Sequence, residues 1–286
     1  MSRKVKVLGM VFGLCFLMVG WGWTKGPPHY TQLTFPELSD WPHLEPQTFS
    51  LPNKARLLVV EDHELPLVQI KVIFRAGEVL VPHGQEGLGQ IVGEALRSGG
   101  SEAYNPGELN RLLENKAADL SVSVDFESIQ VSLNILRDDL QSLLPVLSDL
   151  LAHPRFPKDK IALAKKQVLT QIARRNDNQQ EVAFREFKRL VYGPESVYGL
   201  LPQVETVQRI GREDVLHFYR QGFTGANMLI GVVGDVQPDK IKNLMTETLG
   251  ALPAGDRTEL DFPAVKGSEH PQHTLIDMPG VNQVSI

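Results

Sequence analysis

Two hydrophobic periods alternate along this chain, and the alternation limits its fold more than any other feature. "ARLLVVED" and "PLVQIKVIFRAG" are rich in β-branched and aromatic residues. With the turn chemistry of "EDHELP" between them, they read as two strands joined by a short loop. "EGLGQIVGEALRS" then places Leu88, Ile91, Val92, Ala95 and Leu96 on one stripe, the spacing of a helix packed on a sheet. "NPGELNRLLENKAA" reads as a second helix, started at Asn105-Pro106. "DLSVSVDFESIQVSLNIL" returns to alternation, with Leu120, Val122, Val124 and Phe126 on one face and Ser121, Ser123 and Asp125 on the other. Helical patterns follow in "DDLQSLLPVLSDLLAHP" and "PKDKIALAKKQVLTQIARRNDN", then a strand in "NMLIGVVGDV" and a helix in "PDKIKNLMTETLGAL". This order predicts an α+β fold in which helices pack on one side of a mostly antiparallel sheet.

Composition narrows the function classes. A chain of 286 residues, 42% hydrophobic, has enough apolar material for one large domain or two smaller ones. Its net charge of -5 comes from interspersed acids and bases with no basic stripe, which argues against nucleic acid as a partner. Cys15 is the sole cysteine, so neither a disulfide framework nor a cysteine zinc site forms within one chain. Ser98 and Ser101 have no histidine at a readable spacing, and "GVVGDV" lacks the glycine pattern of a phosphate loop.

The N-terminus carries Arg3, Lys4 and Lys6 ahead of the uncharged run Val7 to Trp23. That is the layout of a secretory signal. The run is also close to the length of a spanning helix, with Trp21 and Trp23 placed as interface anchors. Residues 1–24 therefore read as a signal peptide or as a membrane anchor through 7–23. The expected location is outside the cytoplasm, either periplasmic or held on the outer face of the inner membrane. Residues 25–52 carry Pro27, Pro28, Pro36, Pro42, Pro46 and Pro52, which predicts an extended linker.

The helix "GLGQIVGEALRSGG" has a polar face on which Gln90, Glu94 and Arg97 stand at i, i+4 and i+7. A solvated face has this layout, with Glu94 and Arg97 as a weak surface pair. Gly93 costs about 1 kcal/mol relative to alanine inside a helix, so helix propensity does not account for it. Among the histidines, His270 and His273 in "HPQH" are neighbours separated by Pro271 with no carboxylate beside them, and His63, His83, His153 and His217 stand alone.

Several phrases occur together and in order: "FRAGEV", "GLGQIVGEALRSGG", "LENKAADLSVSVDFESIQVSLNIL", "HPRFPKDKIALAKKQVL", "VYGPESVYGLLPQVETVQRIGREDVLHFYR" and "NMLIGVVGDV". In this respect the chain resembles the N-terminal lobe of the insulinase, pitrilysin and mitochondrial-processing-peptidase family, the zinc metallopeptidases with the inverted H-x-x-E-H motif. The resemblance implies a lobe over 53–255. It also implies that 256–286 is a linker and, in "HTLIDMPGVNQVSI", the first strand of a second lobe that is truncated here. It places the family's first zinc histidine on Gln90, the general base on Gly93, the second histidine on Glu94 and the distal glutamate on Gln171. Zinc is the family's cofactor. Two amides and one carboxylate do not make its site, and Gly93 has no side chain to accept water's proton, so no metal is expected.

In the family, the strand aligned with "DLSVSV" is an edge onto which an extended peptide adds, which implies peptide contacts at Leu120, Ser121, Val122 and Ser123. An internal strand with both edges paired is the alternative. The leading expectation is an exported, catalytically silent homologue that pairs with a zinc-bearing subunit of the same family and helps hold unfolded or extended peptides. A stand-alone peptide-binding or scaffold module is the second reading, and an active metallopeptidase with unusual ligands the third.

Overall fold

The computed structural model describes residues 30–32, 45–260, 262 and 274–278. The chain divides into two compact units, Met1–His43 and Leu44–Ile286. In the first, the described residues form a single 3-10 turn at Tyr30–Gln32. The apolar run 7–23 with Cys15, most of the proline-rich stretch and the His270/His273 pair lie outside the described residues. No helix among the described residues is long and apolar enough to cross a membrane.

The second unit is built on one six-stranded sheet. Its strands are β1 (Gln47–Ser50), β2 (Arg56–Glu61), β3 (Leu67–Phe74), β4 (Asp119–Val124), β5 (Ile129–Leu136) and β6 (Met228–Gly234), in the spatial order β1-β2-β6-β3-β5-β4. Only the β2–β6 pairing is parallel. Buried and open positions alternate along β3 and β6, so Val68, Ile70, Val72 and Phe74 join Met228, Ile230 and Val232 in the core. Leu67, Leu229 and Val233 stand on the open face. This is the α+β layer read from the two periods, with helices over one face.

The helices are α1 (Leu88–Gly99), α2 (Pro106–Asn115), α3 (Leu140–Ala152), α4 (Lys158–Arg174), α5 (Gln179–Tyr192), α6 (Val204–Arg209), α7 (Arg212–Gly222) and α8 (Pro238–Glu247). α1 buries Leu88, Ile91, Val92, Ala95 and Leu96, the stripe its periodicity sets, and packs against α4, α7 and β4. α2 starts where the sequence places it. The Asn105 side chain accepts from the Gly107 and Glu108 amides while Glu108 accepts from the Asn105 amide, and Pro106 occupies the first turn.

Two features depart from the sequence reading. β1 lies inside the stretch read as linker, because Gln47–Ser50 is the proline-free interval between Pro46 and Pro52 and pairs with β2 along its whole length. β2 and β3, adjacent in the chain, are separated in space by β6, which takes Glu61↔Gly234 on one side and Val68↔Gly234 on the other. Residues 274–278, within the segment read as a second lobe's first strand, carry no regular structure, and Leu275 is 93% exposed.

Candidate functional site

β4 is an edge strand, with β5 its one neighbour among the described residues. The hairpin fixes which backbone groups face outward. Asp125 donates its amide to the Ser128 carbonyl at 2.8 Å, so in the register Val124↔Ile129, Val122↔Val131 and Leu120↔Leu133 are the non-hydrogen-bonded pairs. The N–H and C=O groups of Leu120, Val122 and Val124 therefore point away from β5, while Ser121 and Ser123 turn theirs into the ladder. An independent contact agrees. Arg97 of α1 reaches the Leu120 carbonyl from outside the sheet, with Nε donating at 2.6 Å and Nη1 donating to Asn110 at 3.1 Å. The open edge thus consists of the Leu120 amide and both groups of Val122 and Val124, and no described backbone group takes them. Sequence alternation sets Val124 on one face with Leu120 and Val122, whereas the four peptide contacts expected from the family resemblance stop at Ser123.

α1 runs beside this edge, close enough that its glycines are contact points. A Cβ on Gly93 would lie 2.5 Å from Val124 Cγ2 and 3.5 Å from Val122 Cγ1. The glycine that helix propensity leaves unexplained is therefore explained by packing, since the side-chain space at this position is filled by Val124. One turn earlier, a Cβ on Gly89 would lie 2.9 Å from Glu78 Oε1 and 3.5 Å from Val124 Cγ1.

Glu78 does work that its place in "FRAGEV" does not reveal. α1 begins at Gly87, with φ of 97° and no side chain to cap the helix. Glu78 supplies the acceptor instead, taking the Gln90 amide at 2.9 Å. Burial pushes its carboxyl up to about 7, against the Gln90 and Gly87 backbone bonds, which favour the charged form, and with Glu86 adding a smaller push upward. The native chain therefore keeps a proton that the unfolded chain releases near 4.5, and stability falls as pH rises from about 4.5 through 7. Glu78→Gln keeps an acceptor oxygen and cannot ionise. Its melting temperature relative to the natural chain is expected to rise between pH 5 and pH 8, by the equivalent of roughly 2 kcal/mol, measured by thermal unfolding across that range.

The residues that the resemblance sets at the family's metal positions lie on neighbouring elements. Gln90 is half-buried and Glu94 exposed on α1, and Gln171 is exposed on α4, which packs against α1. No hydrogen bond joins the three side chains to one another. Arg97, expected as a surface partner of Glu94, goes to Leu120 and Asn110 because the edge carbonyl is otherwise unsatisfied. Two amides and one carboxylate do not fit a catalytic zinc, and no group of three or more His, Cys, Asp or Glu side chains suited to a metal occurs among the described residues. With Val124 against Gly93, any side chain at this position would have to displace that valine. His63 and His153 have structural partners: His63 Nδ1 lies 2.7 Å from Asp235, which also takes Arg137 at 2.8 Å, and His153 Nδ1 lies 3.1 Å from Asp149.

Comparison with known proteins fits this architecture. The model of "Insulinase (Peptidase family M16)" matches residues 56–197, and that of "Peptidase M16 inactive domain" matches 209–285. The chain belongs to the insulinase family. Among curated proteins it is 26% identical over 210 residues to "Non-peptidase homolog YmxG" of Helicobacter pylori, covering 72% of this chain and 48% of that protein. It is 20% identical to "Mitochondrial-processing peptidase subunit beta" of Dictyostelium discoideum, over 60% of this chain and 37% of that one. A solved structure titled as a peptidase M16 inactive domain from Pseudomonas fluorescens superposes with a TM-score of 0.71 at 24% identity, over 77% of this chain and 54% of the other. This insulinase-family chain spans about half the length of the first of these relatives.

Proposed function

We propose that this chain is a non-catalytic member of the insulinase family, exported from the cytoplasm, that pairs with a zinc-bearing subunit of the same family and shapes the chamber in which an extended peptide is held. One observation carries the reading: among the described residues β4 keeps an unpaired edge beside α1, while the positions that would hold zinc and activate water there are Gln90, Gly93, Glu94 and Gln171. What binding needs is present and what hydrolysis needs is replaced. The name of the Helicobacter relative, a non-peptidase homologue, supports the silent role, and the relative named as a peptidase subunit supports a partner. Leu120, Val122 and Val124 supply ladder groups to the peptide, and Ser121 and Ser123 keep the strand attached to β5.

Purification of the full chain from its native host tests this directly. A family relative carrying an intact H-x-x-E-H motif is expected to co-purify, and chelator-sensitive peptide cleavage is expected in the complex and not in the isolated chain. Chelator-sensitive cleavage by the isolated chain, with near-stoichiometric zinc, would overturn the proposal in favour of an active peptidase. Peptide affinity with no co-purifying relative would favour a stand-alone binding module, which the presence of the whole open edge within this one chain also supports.

A further inference from the structure

A cleft of about 570 Å³ lies where β2 and β6 begin and β3 ends, with Glu127 and Ser128 of the β4–β5 turn in its lining. The register builds its floor. Leu229 is paired with Arg56 on one side and Ile73 on the other, so these three side chains form a row across the open face of the sheet. Arg75 follows Ile73 by two positions and is held by its own amide, which donates to the Asn227 carbonyl at 2.9 Å. The wall is the segment after α8. It is tied down by the Gly225 and Ala226 amides donating to Pro253 and Ala254, each at 2.8 Å, and by Thr258 bonding Asn227, which sets Arg257 and Leu260 beside the row.

The charge of this cleft runs against that of the chain. Lys54, Arg56, Arg75 and Arg257 line it, with Glu127 as the one carboxylate among the described lining residues, in a protein whose net charge is -5. Lys54 reaches the Gly255 carbonyl at 3.1 Å and Asp256 at 3.8 Å. Arg56, Arg75 and Arg257 have no side-chain hydrogen bond or ion pair among the described residues. The Nε of Arg75 is shielded from solvent and still has no acceptor among the described residues. A guanidinium nitrogen is a strong donor, and leaving one dry and unpaired is unfavourable unless something supplies an oxygen. Guanidinium groups match the paired oxygens of phosphates and carboxylates. Ile73, Leu229 and Leu260 offer apolar surface next to those donors.

We propose that this cleft is a binding site for an oxyanion, a phosphate or carboxylate group carried on an apolar body, with Arg75 facing the anion and Arg56 and Arg257 completing its shell. The site is separate from the peptide edge and stands whether or not β4 binds peptides.

Calorimetric titration of the full chain with phenyl phosphate, inorganic phosphate, benzoate and neutral phenol tests it. Saturable binding of phenyl phosphate is expected, tighter than inorganic phosphate, weakened by added salt, with phenol silent. Tighter binding of phenyl phosphate than benzoate assigns the anion as a phosphate, and the reverse order as a carboxylate. Arg75→Met is expected to weaken binding about tenfold or more, and Glu127→Gln to tighten it about twofold. Arg257→Gln changes an exposed side chain, so it tests the site even if Arg75→Met folds poorly; a loss of about threefold is expected. Val122→Pro, which alters the peptide edge, should leave anion binding unchanged. No saturable binding of any of the anions, or unchanged affinity in Arg257→Gln together with any folded Arg75→Met, overturns the proposal.

Discussion

Replacing Gln90 and Glu94 by histidine and Gln171 by glutamate is expected to give a chain that binds about one zinc ion, with a dissociation constant on the order of micromolar or below. The natural chain offers two amide oxygens and one exposed carboxylate at these positions, weak partners for a borderline-soft ion. The triple variant changes only donor chemistry, on two helices that already pack together and without touching the buried stripe of α1. Metal analysis after exhaustive dialysis reads the outcome. Peptide hydrolysis is not expected to follow, because Gly93 still has no side chain to accept a proton, and loss of a general base costs on the order of 10²- to 10⁴-fold. Nor does Gly93→Glu alone repair it. Its Cβ would stand 2.5 Å from Val124 Cγ2, so the variant must displace that side chain and is expected to lose about 1–3 kcal/mol of stability, which Val124→Ala added alongside should partly restore. If the triple variant binds no zinc, the correspondence of Gln171 with the family's distal ligand is wrong.

The elements themselves were largely legible in the sequence because each keeps one period: alternation in β3 and β5, and a 3.6-residue stripe in α1. Spatial order was not, because insertion of β6 between β2 and β3 is decided by which faces pack, and nothing local in "EDHELP" announces it. β1 was hidden by its proline-rich surroundings, although four residues without proline are enough for an edge strand. The site divides in the same way. The assignment of Gln90, Gly93, Glu94 and Gln171 to the motif positions rests on the family resemblance, whereas the reason for Gly93 is a contact with Val124 that lies 31 positions on in the chain, and the cap on α1 comes from Glu78. A helix start at Gly87 with no side chain to cap it was the available sign that an acceptor had to come from elsewhere. The basic cleft left no local trace, since Arg56, Arg75 and Arg257 are far apart in sequence and meet only through the sheet register and the tethered segment after α8.

Proline substitutions along β4 should separate peptide binding from folding, because the outward and inward amides alternate. The Val122 amide points to the open edge, so Val122→Pro removes a donor that only an added strand would use and leaves the β4–β5 ladder intact. The Ser123 amide points into that ladder, and Ser123→Pro breaks it. Affinity for an extended, unstructured peptide, read by fluorescence anisotropy, is expected to fall about tenfold or more in Val122→Pro, on the order of the contribution of one or two buried ladder bonds. Its melting temperature should move only by the lost packing of a half-buried valine on α1, about 1 kcal/mol. Ser123→Pro should instead cost about 3 kcal/mol in stability. Arg97→Met frees the Leu120 carbonyl and should lengthen the usable edge by one acceptor, leaving peptide affinity equal to or higher than that of the natural chain. If Val122→Pro binds peptide as the natural chain does, peptides do not add to β4, and the open edge beside α1 serves packing against another part of the assembly.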